Sequence, residues 1–214
     1  MDYSKFEKLA PEKRQRIINA ALYEFTLYGE AKASSNRIVK CAGIGKGMLF
    51  YYFGNMEGAF RYLALYTHAK LSGWMTETAE RHAGVLARWE SLLDFAEENH
   101  AEEPALAAFL ASMYGRAGKN AARIADYAGE KALLHANLNA FYQQVDTGCF
   151  PADVDASLGI KCIRHVMLAS VREAFDALSE TGVEPAGFLT AMEQLREMLA
   201  ALCRLHCKTE ALAC

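Results

Sequence analysis

The sequence predicts an all-α protein, with a small N-terminal helical domain followed by a larger helical one. Apolar residues recur at helical spacing along most of the chain, and no convincing alternating strand pattern appears. Gly, Pro and Asp punctuate the periodic stretches where helices start and stop. A chain of 214 residues, 52% hydrophobic and 23% charged, is long enough to bury a sizeable core in one domain or two.

Residues 1–9 form a lead-in whose Phe6 and Leu9 can pack in a single turn. Pro11 suits the first turn of a helix, where its missing N–H leaves nothing unpaired. That helix runs to about Tyr28, with Ile18, Ala21, Leu22 and Phe25 on one face, and Gly29 ends it. Lys13, Arg14 and Arg16 make its start basic, either as a solvated face or as a backbone contact. A second helix spans Ser35–Ala42, with Ser34 or Ser35 able to cap orphan backbone donors. Gly43 stands at the reversal, a position suited to positive φ.

A third helix starts near Lys46 and ends near Tyr52. Leu49 and Phe53, four apart, can pack on Ile38, Ala42 and Ile44, while Gly47 and Tyr51 face the opposite way. Met48 and Phe50 lie on the flanks. Lys46 projects from the helix start, where free N–H groups favour a phosphate, and Gly47 permits close approach of the backbone. Two short helices joined by a tight turn commonly offer the second to a DNA major groove. A plain helical corner with surface aromatics is the competing reading.

Residues 54–73 read as a connecting helix, from the Gly54-Asn55 turn to Gly73, whose apolar residues can face both halves of the molecule. It is the natural lever between a ligand site and the DNA unit. Helices are then predicted at 76–99, 104–117, 119–146, 153–181 and 185–208, with Pro104 and Pro185 at starts and Asp153 as a cap. The last two carry apolar stripes: Ile160, Ile163, Met167, Val171, Ala174 and Leu178 in one, Phe188, Met192, Leu195, Leu199 and Leu202 in the other. Leu158, Val166, Leu168 and Phe175 widen the first, and Leu189, Met198 and Leu205 lie beside the second. Helices apolar on more than one face need cover on more than one side. A four-helix homodimer interface is the simplest source, and it would set two recognition helices about 34 Å apart.

Net charge is −3 but is unevenly spread. Residues 1–70 carry 11 Lys+Arg against 6 Asp+Glu, and the remainder carries 12 against 20. A basic head on an acidic body suits contact with phosphates at one end only. No apolar run reaches membrane-spanning length, and the charged N-terminus lacks a signal-peptide core, so a cytoplasmic location is expected. The six cysteines form no paired framework and are expected to be reduced.

The motif carries a family resemblance. Ile18-Asn19-Ala20-Ala21-Leu22-Tyr23-Glu24-Phe25, Gly29, Ser35 to Ile38, the run Ala42 to Phe53, then Glu57 and Phe60, resemble the N-terminal domain of TetR/AcrR transcriptional regulators. The match covers roughly residues 10–62. It implies a three-helix DNA-binding domain at 1–54 and a helical effector-binding and dimerisation domain at 55–214. It further implies a homodimer on a palindromic operator of double-stranded DNA, usually a repressor released by a small molecule. Carried over by position, Ser35 matches a phosphate-contacting hydroxyl, Lys46, Gly47, Met48 and Tyr51 match positions meeting bases or backbone, and Tyr52 matches an aromatic reaching phosphate. Asn36 and Arg37 are added as compensating donors, with Lys40. Gly45, Phe50 and Met56 depart from the pattern, replacing a serine, a tyrosine and a lysine, so three phosphate contacts are absent or weakened; Phe50 stays among the expected interface residues.

An effector pocket is expected near Trp89, Phe109, Met113, Tyr127 and His165, although aromatics at helical spacing also build plain core. Cys203, His206 and Cys207 are spaced to hold zinc or act as a thiol switch, given further ligands. No resident metal or cofactor is expected. No nucleophile elbow, HExxH, phosphate-cradling loop or CxxC is present, so no catalytic residues are expected. The favoured reading is a ligand-released repressor. The alternatives are a DNA-binding regulator or architectural protein without effector, and a metal- or thiol-responsive regulator.

Overall fold

A computed structural model describes residues 2–116, 118–181 and 184–206. The described residues form ten α-helices and two short 310 runs, with no strand. The helices are α1 (Ser4–Glu7), α2 (Pro11–Tyr28), α3 (Ser35–Ala42), α4 (Lys46–Phe53), α5 (Met56–Arg81), α6 (Val85–Glu102), α7 (Leu106–Tyr114), α8 (Ala128–Phe141), α9 (Ala156–Thr181) and α10 (Pro185–His206). The 310 runs are Glu30–Lys32 and Ala121–Tyr127.

Two apolar cores hold these helices together. The first gathers Phe6, Leu22, Phe25, Ile38, Leu49, Phe53, Phe60 and Leu63 from α1–α5, and also takes in Leu106, Phe109, Met113 and Tyr127. The second joins Met75, Trp89, Leu92, Phe141, Ile163, Met167, Phe188, Leu195 and Leu199 from α5, α6 and α8–α10. The head is therefore not closed by its own residues: α7 supplies part of its core. That dependence is invisible in the sequence, because Phe109 and Met113 carry no mark of which core they join.

Several boundaries differ from expectation, each for a local reason. α5 passes through Gly73 and runs to Arg81, since Gly73 is exposed and a mid-helix glycine costs only about 1 kcal/mol. Asn55 caps its start by accepting the Gly58 N–H at 2.7 Å. The stretch expected as one helix over 119–146 splits into the 310 run and α8. α8 stops at Phe141 because the buried guanidinium of Arg88 takes the carbonyls of Phe141 at 2.6 Å and Gln143 at 3.0 Å. α7 begins two residues after Pro104 and ends at Tyr114. The start of α9 is capped by Asp155, whose carboxylate accepts Ser157 N–H at 2.9 Å, not by the exposed Asp153.

The two stripes of the last helices divide only in part as the sequence suggests, because Val166, Leu168 and Phe175, expected to widen the first, pack against the chain's own core. Ile163, Met167, Ala174, Leu178, Phe188, Met192, Leu195, Leu199 and Leu202 are buried in the chain's own core. Leu158, Leu189, Met198 and Leu205 beside them are exposed.

Candidate functional site

The reversal between α3 and α4 is made by Gly43, at φ 65° and ψ 40°, a left-handed conformation that a side chain resists. Ile44 N–H closes the turn on the Val39 carbonyl at 3.1 Å. Leu49 and Phe53 lie buried with Ile38 and Ala42, and Ile44 packs against them. The expected Ser cap on α3 does not form; Ser34 N–H instead donates to Glu24 Oε1 at 2.6 Å. The unit is thus anchored by its apolar side and by a buried carboxylate from α2.

The outward face of α4 carries Lys46, Gly47, Met48 and Tyr51, all exposed. Asn36 and Lys40 are exposed on α3, with Ser35 half-buried, and Phe50 is half-buried on α4. Tyr52 differs from expectation: its ring is buried against Phe6, with centroids 5.6 Å apart, because α1 folds over that side of α4. Arg37 is committed within the protein. Its Nε and Nη2 donate to the Glu24 carboxylate at 2.5–3.0 Å, and its guanidinium lies 3.9 Å from the Tyr28 ring centroid. Those partners hold its pKa above the usual arginine value. One cation escaped the sequence reading: Lys5 of α1 sits 4.4 Å from the Tyr51 ring centroid, which places a charge beside the α4 face. Only its place on a helix the sequence barely indicates could have revealed it.

The second feature is a cavity of about 360 Å³ lined by α5–α10. Of the residues expected to form a pocket, only Trp89 lines it; its indole N–H donates to Tyr142 Oη at 2.9 Å. Phe109, Met113 and Tyr127 are buried in the other core, and His165 is exposed on α9. Trp89 and Phe109 both stand at helical spacing yet join different cores, so spacing alone could not choose. The walls are mainly aliphatic and aromatic, with polar groups at Asn99, His100, Glu103 and Tyr114 and at the exposed His135 and Arg172. Burial pushes the Tyr114 phenol up to about 12, and its hydroxyl is hydrogen-bonded to His68 Nε2. Glu103, 1% exposed, accepts from Gln15 Nε2 at 2.8 Å and from the Tyr66 hydroxyl at one oxygen. Lys70 Nζ stands 2.8 Å from the other, as a charge pair off the line of a hydrogen bond.

Cys203 is half-buried on α10 and its thiol is pushed up by burial. Cys207 and the His206 side chain lie outside the described residues. Among the described residues no helix is long and apolar enough to cross a membrane.

The left-handed turn, the buried inner side of α4 and its cationic outer side together make this a helix-turn-helix DNA-binding protein. Residues 17–63 match the family described as bacterial regulatory proteins, tetR family. That match covers 47 of the 214 residues and coincides with the helix-turn-helix and its supporting helices. No curated protein matches the chain significantly.

Solved structures extend the likeness of fold over nearly the whole chain. The ketosteroid transcriptional regulator KstR2 of Mycobacterium tuberculosis is 20% identical with a TM-score of 0.55, covering 94% of this chain and 97% of that one. A TetR-family regulator from Mesorhizobium loti is 16% identical with a TM-score of 0.54, covering 92% and 98%. The fatty acid degradation regulator FadR of Bacillus halodurans is 17% identical with a TM-score of 0.52, covering 86% and 96%.

Proposed function

We propose that the protein is a homodimeric repressor, released from a palindromic operator when a small molecule enters the α5–α10 cavity. The observation that carries this reading is the position of α7. Phe109 and Met113 on one side of it complete the core of the head, while Ala107, Leu110 and Tyr114 line the cavity, and Leu106 belongs to both. A ligand that displaces α7 disturbs the floor on which α2 and α5 rest. α5 supplies the second route: Leu71, Trp74 and Met75 line the cavity, and its capped start lies against α4.

In this reading residues 1–54 are the DNA-binding unit and 55–214 the effector and dimerisation unit. Lys46, Lys40, Lys5 and Ser35 neutralise or hydrogen-bond phosphates, while Gly47, Met48 and Tyr51 meet the groove. Asn36, Phe50 and the Tyr52 hydroxyl lie on its margin, and Arg37 orients α3 rather than carrying free charge. The exposed Leu158, Leu189, Met198 and Leu205 are covered by a second copy. The names of the ketosteroid transcriptional regulator KstR2 and the fatty acid degradation regulator FadR are consistent with an apolar effector.

The test is selection of bound duplexes from random DNA, followed by fluorescence anisotropy of the selected sequence across a metabolite panel. A palindromic consensus and release by at least one compound are expected. A non-palindromic consensus, or binding that no compound relieves, counts against the reading.

A further inference from the structure

We infer that the cavity takes an amphiphile with a single anionic head, its apolar chain inside and its carboxylate held at the mouth by Arg172. The inference rests on the ligand-responsive reading above and names the chemistry of its effector.

The walls decide the chain. Trp74, Trp89, Leu93, Leu138, Phe175 and Phe188 are among the residues lining the cavity, and its volume of about 360 Å³ suits a small molecule. Each methylene taken from water into such a lining tightens binding by about fourfold.

Charge decides where the head lies. Among the described residues the lining holds one carboxylate, Glu103, and one guanidinium, Arg172. Glu103 is buried and already matched, with Lys70 Nζ and Gln15 Nε2 each 2.8 Å from one of its oxygens. An anionic head beside it would meet a like charge, and a cationic one would compete with Lys70 for it. That end of the cavity therefore receives the apolar part of the ligand. The exposed lining residues are His135 of α8 and Arg172 of α9, which marks the mouth as the gap between these two helices.

Arg172 is free to take a head there. Among the described residues its guanidinium has no hydrogen bond or ion pair within the protein. Asp176, one turn along α9, is engaged elsewhere: its Oδ1 accepts the Arg116 backbone N–H at 2.7 Å, and its Oδ2 lies 3.3 Å from Arg116 Nε. On the facing helix Lys131 precedes His135 by four residues, on the same side of α8, and adds a second positive charge near the mouth. The planar fork of arginine matches a carboxylate in two parallel hydrogen bonds, a fit that an alcohol lacks and an ammonium opposes. A head held at the mouth also keeps contact with water, so its charge is not stripped as it would be beside Glu103.

The chain's two tryptophans, Trp74 and Trp89, both line the cavity, so intrinsic fluorescence reports occupancy without DNA. The full-length protein is titrated at pH 7.5 and low ionic strength with hexanoate, decanoate, 1-decanol and decylammonium, each below its solubility and micelle limits. Decanoate is expected to bind about tenfold more tightly than decylammonium, about fivefold more tightly than 1-decanol, and far more tightly than hexanoate. Arg172→Gln should weaken decanoate about fivefold and leave 1-decanol unchanged, and Arg172→Glu should reverse the order of decanoate and decylammonium. Lys161→Gln, which removes an exposed charge from α9 outside the cavity lining, should leave that order unaltered. Circular dichroism confirms the fold of each variant. Decylammonium or 1-decanol binding as tightly as decanoate overturns the inference, as does a folded Arg172→Glu protein that keeps the wild-type order. A loss from Lys161→Gln equal to that from Arg172→Gln, or a wild type that responds to no probe, overturns it too. The same samples are assayed on the selected DNA. Selective binding of decanoate without DNA release leaves the ligand class standing and removes the release mechanism. Release by another compound of the panel from a protein that ignores decanoate does the reverse.

Discussion

Gln15 in α2 and Glu103 at the end of α6 meet across the molecule, with Gln15 Nε2 donating to Glu103 Oε1 at 2.8 Å. One turn along α2, Asn19 Nδ2 donates to the Glu102 carbonyl at 2.6 Å. The head is thereby tied to a residue of the cavity wall. Glu103→Ala is expected to destabilise the protein by about 3–5 kcal/mol in urea denaturation, because it strips partners from Lys70, Tyr66 and Gln15 inside a buried cluster. Gln15→Ala, which leaves Glu103 two partners, should cost only about 1 kcal/mol. Equal losses from the two would remove Glu103 from the centre of that cluster.

The far end of α2 is tied down by Asn120. Its side chain accepts Glu30 N–H at 2.9 Å and donates to the Phe25 carbonyl at 3.1 Å and to Ser112 Oγ at 2.8 Å. Lys119 adds a bond to the Leu27 carbonyl at 2.7 Å. Asn120→Ala should lower stability by about 2–3 kcal/mol, and hydrogen exchange should rise first at residues 25–32. Exchange that rises uniformly would show that Asn120 acts on the whole fold rather than on that seam.

These two ties explain what the sequence could and could not disclose. The helix-turn-helix was legible because its signals are local: apolar residues four apart in Leu49 and Phe53, and a glycine at the reversal. The cavity was not, because Trp89 and Phe109 look alike on a helical wheel yet fall into different cores. Arg37 read as a free cation because its partner, Glu24, sits on another helix. Exposed Leu158 and Leu189 were legible as a second apolar face, since periodicity records a face even when its cover is elsewhere.

Lys46 and Arg37 should separate cleanly under substitution. Lys46→Ala is expected to weaken operator binding and reduce the log–log salt slope by about 1.8, one contact of about 0.9 from each copy of the dimer, with folding stability unchanged. Arg37→Ala leaves the buried Glu24 carboxylate with only backbone donation from Ser34, and should lower stability measurably. Anisotropy at several salt concentrations, paired with urea denaturation, reads both. A stable Arg37→Ala protein with a reduced salt slope would move Arg37 back among the phosphate contacts.

The exposed apolar residues on α9 and α10 set the oligomeric test. Leu158 is 59% exposed and Leu189 61%, so Leu189→Glu should cost the isolated chain within about 0.5 kcal/mol. Buried between two copies, the same carboxylate would be desolvated without a partner. Light scattering should then give half the wild-type mass, together with a loss of operator affinity. A dimer unaffected by both Leu158→Glu and Leu189→Glu would place the interface on another face.

His100 gives the protein a pH dependence whose sign follows from its surroundings. Glu103, which follows α6 and is paired with Lys70 of α5, shares the cavity with it, as do Tyr114 of α7, His135 of α8 and Arg172 of α9, and Phe188 of α10 covers its ring. Burial holds its folded pKa below the usual 6.5, so the unfolded chain takes up the proton first as pH falls. Its contribution is complete above about pH 6.5 and is lost as pH drops through the folded value. Wild type should therefore lose stability between pH 7.5 and 5.5 relative to His100→Phe, which has no such proton to bind. The difference between the two proteins in urea denaturation isolates this group from the other histidines and the carboxylates. Parallel losses in both would assign the acid sensitivity to those groups.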